Sequence, residues 1–295
     1  MRGLTMSRDT APALAWLRHP LANGRWVQTM IVVVMTLFAA LMIYPFLWLV
    51  FGSFKTSSDI LAQPVQLWPR EWTLDGFRLV WNQSGLPRAY FNSMLVSSAI
   101  VFSTLLTSSL GGYVFARLQF PCRQLLFYFI LATTMVPFVT LLIPFYLVML
   151  DLGLLNSYAA LWIPAGVSSF GIFLCRQFIQ GIPQELYEAA KIDGAGDFRI
   201  YLEIILPLIR PVLSALAIFS FLGAFNAYLW PLVALNDQEL YTLPLILVQV
   251  STSMGATNYQ AVMAGSLLAS IPTILVYLVF QRNFVRGIAL SGIKG

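Results

Sequence analysis

Apolar residues in this chain come in long unbroken runs, with the charged residues confined to the gaps between them. Six charge-free stretches follow one another: Trp26–Phe54, Ala89–Ala116, Gln124–Leu150, Leu152–Cys175, Pro211–Asn236 and Leu240–Gln281. A helix needs about 20 apolar residues to cross a bilayer, so each of the first five holds one span. The sixth is longer than one helix requires. Its first half carries Pro244, Gln249, Ser251 to Ser253, Gly255, Thr257 and Asn258, whereas Ala261–Phe280 is apolar or small throughout. This predicts an extracytoplasmic loop followed by a single helix, giving six transmembrane helices and an all-α polytopic membrane protein. Pro45, Pro137, Pro144, Pro164, Pro231 and Pro272 lie inside the runs, and each is expected to free a backbone carbonyl and bend its helix. Ala261, Gly265 and Ala269 form a small-residue stripe that permits close helix approach.

One long polar interruption stands out: Pro183 to Pro207, PQELYEAAKIDGAGDFRIYLEIILP. Pro183 suits a first helical turn, where its missing N–H costs nothing, and most residues from Gln184 to Ile192 favour helix. Asp193-Gly194 supplies a turn, and Asp197 is placed to cap a second helix. Phe198, Tyr201, Leu202 and Ile205 then fall at i, i+3, i+4 and i+7, on one helical face. The expected unit is a helix-turn-helix lying at a membrane surface.

Glu188-Ala189-Ala190, Gly194 and Leu206-Pro207 match the EAA loop of permease subunits of binding-protein-dependent ABC importers. The fuller string EAAKIDGAGDF resembles the carbohydrate-uptake branch, to which the maltose and glycerol-phosphate permeases belong. The resemblance covers roughly residues 88–295, through Asn92-Ser93, Gly112-Tyr113 to Ala116-Arg117, Met135-Val136-Pro137 to Ile143-Pro144, and Leu152-Gly153-Leu154-Leu155-Asn156. Phe225-Asn226 departs from the Trp-Asn of many relatives but keeps an aromatic ring.

This resemblance implies the helical core of a type I importer. Its partners would be a second permease subunit, a pair of cytoplasmic ATPase subunits and an extracytoplasmic solute-binding protein. ATP and Mg would sit on the ATPase, with no cofactor, catalytic residue or metal on this chain. Glu188, Ala189, Ala190, Asp193, Gly194 and Pro207 would form the ATPase-coupling loop, with Ala189 and Ala190 leaving a low face for the partner. Gly292, Lys294 and Gly295 would extend a C-terminal tail between the ATPase subunits. Ser253, Met254, Gly255 and Ala256 would lie in a loop that reaches the binding protein, and Asn226 in the solute path. Which sugar or polyol is carried is not encoded in these motifs.

Charge distribution adds an orientation. With the N-terminus inside, thirteen of the seventeen Lys and Arg residues fall on cytoplasmic segments, leaving Lys55, Arg70, Arg78 and Arg88 outside. Residues 1–25 then form a cytoplasmic tail, 26–54 the first transmembrane region, 55–88 an extracytoplasmic segment, 89–281 the permease core with its loop at 176–210, and 282–295 a cytoplasmic tail. The first apolar run exceeds a signal-peptide core, and no convincing cleavage site ends it. Trp68, Trp72 and Trp81 suit a headgroup-level belt facing membrane lipid. The setting expected is a bacterial or archaeal cytoplasmic membrane.

Composition narrows the function further. The chain is 59% hydrophobic and 10% charged, outside the range of soluble domains. A net charge of +5 raises nucleic acid as a partner, but the basic residues are scattered between apolar runs, so nucleic acid is excluded. Cys122 and Cys175 lack metal or disulfide spacing. No Asp, Glu, Lys, Arg or His lies inside the six predicted spans, which argues against a proton relay and a membrane-embedded enzyme. Sodium coupling through backbone carbonyls would escape that test. None of the three lysines stands in GxxxxGK[ST], so energy is expected from another subunit.

Overall fold

The computed structural model describes residues 25–64, 66–83, 85–253 and 258–291, of which 25, 83 and 280–291 are described through the backbone alone. The helices in chain order are α1 (Arg25–Gly52), α2 (Ser57–Ile60), α3 (Asp75–Gln83), α4 (Leu86–Arg117), α5 (Arg123–Thr133), α6 (Phe138–Asp151), α7 (Tyr158–Ala165) and α8 (Ser169–Gln180). They continue as α9 (Gln184–Ile192), α10 (Asp197–Ile200), α11 (Leu206–Leu208), α12 (Arg210–Phe225), α13 (Leu229–Ala234), α14 (Leu243–Ser253) and α15 (Tyr259–Ser291). No strand occurs among the described residues. Four helices are long and apolar enough to cross a bilayer: Trp26–Gly52, Leu86–Arg117, Tyr158–Gln180 and Tyr259–Val279. Counting each of two bent pairs once gives six spans, the number expected.

Several predicted runs are nevertheless interrupted. The third bends by 101° between α5 and α6. Pro137 precedes α6 in extended backbone, and a residue before proline disfavours the helical region, so the turn belongs there. Hydroxyls of Thr133 and Thr134 accommodate the break by donating to the carbonyls of Ile130 and Leu131, each at 2.7 Å. The fifth run was expected to continue to Asn236, but α12 ends at Phe225 and a separate α13 follows. Pro231 sits in the first turn of α13, where it breaks no hydrogen bond. The expected loop after Leu240 is partly helical: α14 buries Leu243, Leu245, Ile246 and Val250, and Pro244 occupies its first turn, where no N–H is needed. The last helix, expected to end near Phe280, runs on to Ser291.

Small residues set how closely the helices meet. α4 and α8 are in such intimate contact that a Cβ on Gly112 would lie 2.5 Å from Cys175 Cβ, and one on Gly171 would lie 2.2 Å from Ser108 Oγ. The stripe on α15 behaves as expected: Ala261 is fully buried, and a Cβ on Gly265 would meet Leu247 and Val80 at 3.1 and 3.3 Å. Asn92 is completely buried on α4 and fully satisfied. Its amide donates to the carbonyls of Glu239 and Tyr241 at 2.9 Å each, and its oxygen accepts from Tyr158 at 2.6 Å. Ser93 accepts the Leu243 N–H at 2.7 Å, so the Asn92-Ser93 pair clamps the chain entering α14. In the 55–88 segment, Lys55 is wholly buried; its amine donates to the Gln66 carbonyl and lies 4.6 Å from the Trp48 ring centroid.

Candidate functional site

The loop singled out by its polarity folds into a helical hairpin at one end of the bundle. Helix α9 starts at Gln184 with Pro183 as its cap, one residue earlier than the first-turn position expected. It closes in a Schellman arrangement, in which the Ala195 N–H donates to the Ala190 carbonyl at 2.9 Å and the Gly194 N–H to the Lys191 carbonyl at 3.0 Å. That geometry places Gly194 at φ +80°, a conformation open to glycine and strained for most side chains.

The second arm is not a uniform α-helix. After α10, Tyr201–Ile205 forms a π turn in which the Leu206 N–H reaches back to the Tyr201 carbonyl. Pro207 explains it: proline offers no N–H, and its ring would crowd the carbonyl four residues back, so a wider turn relieves the clash. The expected four-residue stripe is not kept as one face. Tyr201 and Ile205 are buried, while Phe198 and Leu202 face outward. Beyond Leu208 the chain bends by 77° into α12.

Two devices fix the hairpin to the bundle. Tyr113, Cys175, Ile179, Ala190, Ile200, Tyr201, Ile205, Ile209, Val212 and Leu216 pack into one apolar cluster. Asp197 supplies the polar link. Expected as a helix cap, it instead spends its carboxylate on side chains: Oδ1 accepts from Tyr187 at 2.7 Å and from Lys191 Nζ at 2.8 Å. Gly196 takes the cap position. Tyr113 on α4 donates to the Asp197 carbonyl at 3.1 Å, joining hairpin to span. The hydrogen bonds from Lys191 and Tyr187 hold the Asp197 carboxyl below its ordinary range, and the bond to Asp197 holds the Lys191 amine above its own. Arg117, at the end of α4, donates to the Ile179 and Ile182 carbonyls at 2.8 and 2.6 Å and to the Gln184 side chain, satisfying carbonyls left open where α8 ends.

What the hairpin presents outward follows from this anchoring. Glu188, Ala189, Asp193 and Gly194 are exposed, and Pro207 is half-buried. Glu188 has no ion pair among the described residues. Ala190 corrects the expectation of a low two-alanine face: it is 7% exposed and turned into the apolar cluster, so Ala189 alone offers the low surface. Ile192 and Phe198 are 86% and 67% exposed, an apolar contribution that the motif did not reveal.

The remaining sequence candidates lie apart from the hairpin. Asn226 is exposed just past α12, donating to the Leu222 carbonyl at 2.9 Å, in a groove with Phe225, Tyr228 and Leu243. Ser253 ends α14 and is exposed, while Met254, Gly255 and Ala256 lie outside the described residues. Gly292, Lys294 and Gly295 also lie outside them. The Tyr113–Tyr187–Lys191–Asp197 network was missed. Its one sequence trace is the i, i+4 spacing of Tyr187 and Lys191 on α9.

Apolar helices wrapped on glycine contacts, with an anchored polar hairpin at one end, define a multi-pass membrane protein. Residues 108–290 match the family described as binding-protein-dependent transport system inner membrane component, and the chain belongs to that family. It is 35% identical to the arabinooligosaccharides transport system permease protein of Halalkalibacterium halodurans, over 98% of this chain and 100% of that one. It is also 35% identical to the lactose transport system permease protein of Rhizobium radiobacter, over 88% of this chain and 94% of that one. A crystal structure of a bacterial ABC transporter involved in importing the acidic polysaccharide alginate superposes with a TM-score of 0.79 at 26% identity, over 87% of this chain and 96% of that one.

Proposed function

We propose that this chain is a permease subunit of an ATP-driven importer for a sugar or sugar-like solute, in the bacterial cytoplasmic membrane. It pairs with a second permease and receives solute from an extracytoplasmic binding protein. Closure of a separate ATPase, which holds ATP and Mg, reaches the spans through the hairpin at 176–210, so this chain hydrolyses nothing itself. The observation that carries this reading is the hairpin's construction: anchored inward by Asp197 and the apolar cluster, it shows Glu188, Ala189, Ile192 and Phe198 to the outside. A surface serving only as a boundary has no need of such anchoring, whereas a lever must be stiff. Names of relatives support the solute class, with arabinooligosaccharide and lactose permeases among them.

Reconstitution tests it. The isolated chain should be silent in an ATP hydrolysis assay. Combined in proteoliposomes with its partner permease, ATPase and binding protein, it should support solute-stimulated hydrolysis and uptake from a panel of lactose, an arabino-oligosaccharide, diacetylchitobiose, an alginate oligosaccharide and glycerol 3-phosphate. Hydrolysis by the isolated chain, or no stimulation of the complex by any solute, would contradict the reading.

A further inference from the structure

Three helix breaks converge on one cavity. The α7–α8 break at residues 166–168, the N-terminus of α6 just after the α5–α6 bend, and the α12–α13 break at residues 226–228 surround a space of about 560 Å³, closed on another side by α4. Within a bilayer, non-helical backbone is tolerated where it lines a cavity, and transporters place solute sites at such interruptions. The volume falls inside the range of about 300–1,000 Å³ typical of small-molecule sites.

The lining has a definite chemistry. Trp230, Tyr228, Phe138 and Phe145 supply aromatic surface, and Thr104, Ser168, Ser220 and Thr242 supply hydroxyls. No Asp, Glu, Lys, Arg or His is among the lining residues. Thr242 is 5% exposed, and its hydroxyl has no hydrogen-bond partner among the described residues. It immediately precedes α14, where a threonine normally caps the helix, yet its oxygen caps nothing. A buried hydroxyl left without a partner costs free energy, a cost that a polar ligand group reaching Thr242 would offset.

We propose that this cavity is a binding subsite for an uncharged saccharide, so that this chain touches the solute itself. The proposal rests on the importer reading above and names its substrate class. Sugar rings present apolar C–H faces to aromatic rings and hydroxyls to hydroxyls. An anionic solute here would leave a carboxylate or phosphate desolvated with no counter-charge in the lining, which is strongly unfavourable.

Gly223 gives a direct test. It lies on α12 in the lining, and a Cβ built on it meets nothing within 4 Å. A side chain there starts in open space at the cavity wall, so growing it takes up room in the cavity, and replacing a helical glycine favours the helix. The assembled importer carrying Gly223→Ala, Gly223→Leu or Gly223→Trp would be assayed in proteoliposomes for uptake of the panel above, with complex yield measured alongside. The parent should take up lactose, diacetylchitobiose or the arabino-oligosaccharide. Uptake should fall in order of side-chain size, tenfold or more for Trp, while the complex still assembles. Thr242→Val, which removes a hydroxyl the protein does not use, should raise KM severalfold.

Parent-like uptake by the Gly223→Trp complex would overturn the proposal. So would a parent that transports only glycerol 3-phosphate or alginate, which contradicts the uncharged class while leaving the importer reading intact. Failure of the Gly223→Trp chain to join its partner permease would overturn it too, by showing that a partner helix fills the space. A parent complex without solute-stimulated hydrolysis would instead fail the importer reading, and is recognised before any variant is made.

Discussion

At the scale of single residues, Asp197 carries the most consequence. One carboxylate joins both arms of the hairpin, through Tyr187 and Lys191, and Tyr113 ties its backbone to α4. Asp197→Ala should loosen the hairpin from the span, reducing transport and solute-stimulated hydrolysis together while membrane insertion stays normal. Tyr187→Phe removes one hydrogen bond and should destabilise the hairpin by about 1 kcal/mol, read as faster hydrogen exchange across residues 184–205. The pH dependence has a definite sign. Asp197 titrates below its ordinary value of about 3.9, so its stabilisation is complete above that value and is lost as pH falls through the lower folded value. Lys191 titrates above its ordinary value of about 10.4, so its contribution is complete below that value and is lost as pH rises through the higher folded value. The hydrolysis ratio of parent to Asp197→Asn should therefore be flat between about pH 5 and pH 9; a step inside that window would contradict the pairing. Beyond the i, i+4 spacing of Tyr187 and Lys191, this was not legible in the sequence, because an aspartate before an apolar stripe looks the same whether it caps a helix or bonds side chains across a turn.

At the scale of elements, the closing turn of α9 and the α4–α8 packing are the features most open to test. A Cβ on Gly194 would strike nothing, so Gly194→Val is strained through the backbone alone, by about 1–2 kcal/mol. Gly194→Val should lower transport, and Gly194→Asn, which tolerates the left-handed region, should restore most of it. Gly112 differs, since its Cβ would collide with Cys175 and with the backbone of Arg176. Gly112→Val should cost about 1–3 kcal/mol or more by overpacking and lower the yield of folded chain in a detergent thermal-unfolding assay. Apolar runs made the spans legible, and the turn at Gly194 followed from Asp193-Gly194. The breaks were harder to locate: Pro137 and Pro231 begin helices, while Pro45, Pro144, Pro164 and Pro272 lie within them, and local sequence alone does not separate the two uses. The π turn ahead of Pro207 was likewise hidden, because a pattern read at a fixed 3.6 period carries no record of an added residue.

At the scale of the whole molecule, the apolar bundle is a frame in which an anchored hairpin at one end is continuous, through the bend into α12, with the helix that lines the cavity. The account stands or falls on the hairpin's outer face meeting the ATPase. Single cysteines at Ala189, Ala190 and Ile192, in a chain with Cys122 and Cys175 replaced, allow that contact to be measured by oxidative cross-linking to cysteines on the ATPase surface. Ala189 and Ile192 are exposed while Ala190 faces inward, so the middle position is an internal control. Cross-linked products from Ala189→Cys and Ile192→Cys, and little from Ala190→Cys, are the predicted result; an assembled, transporting complex with no product at the two exposed positions would contradict the account.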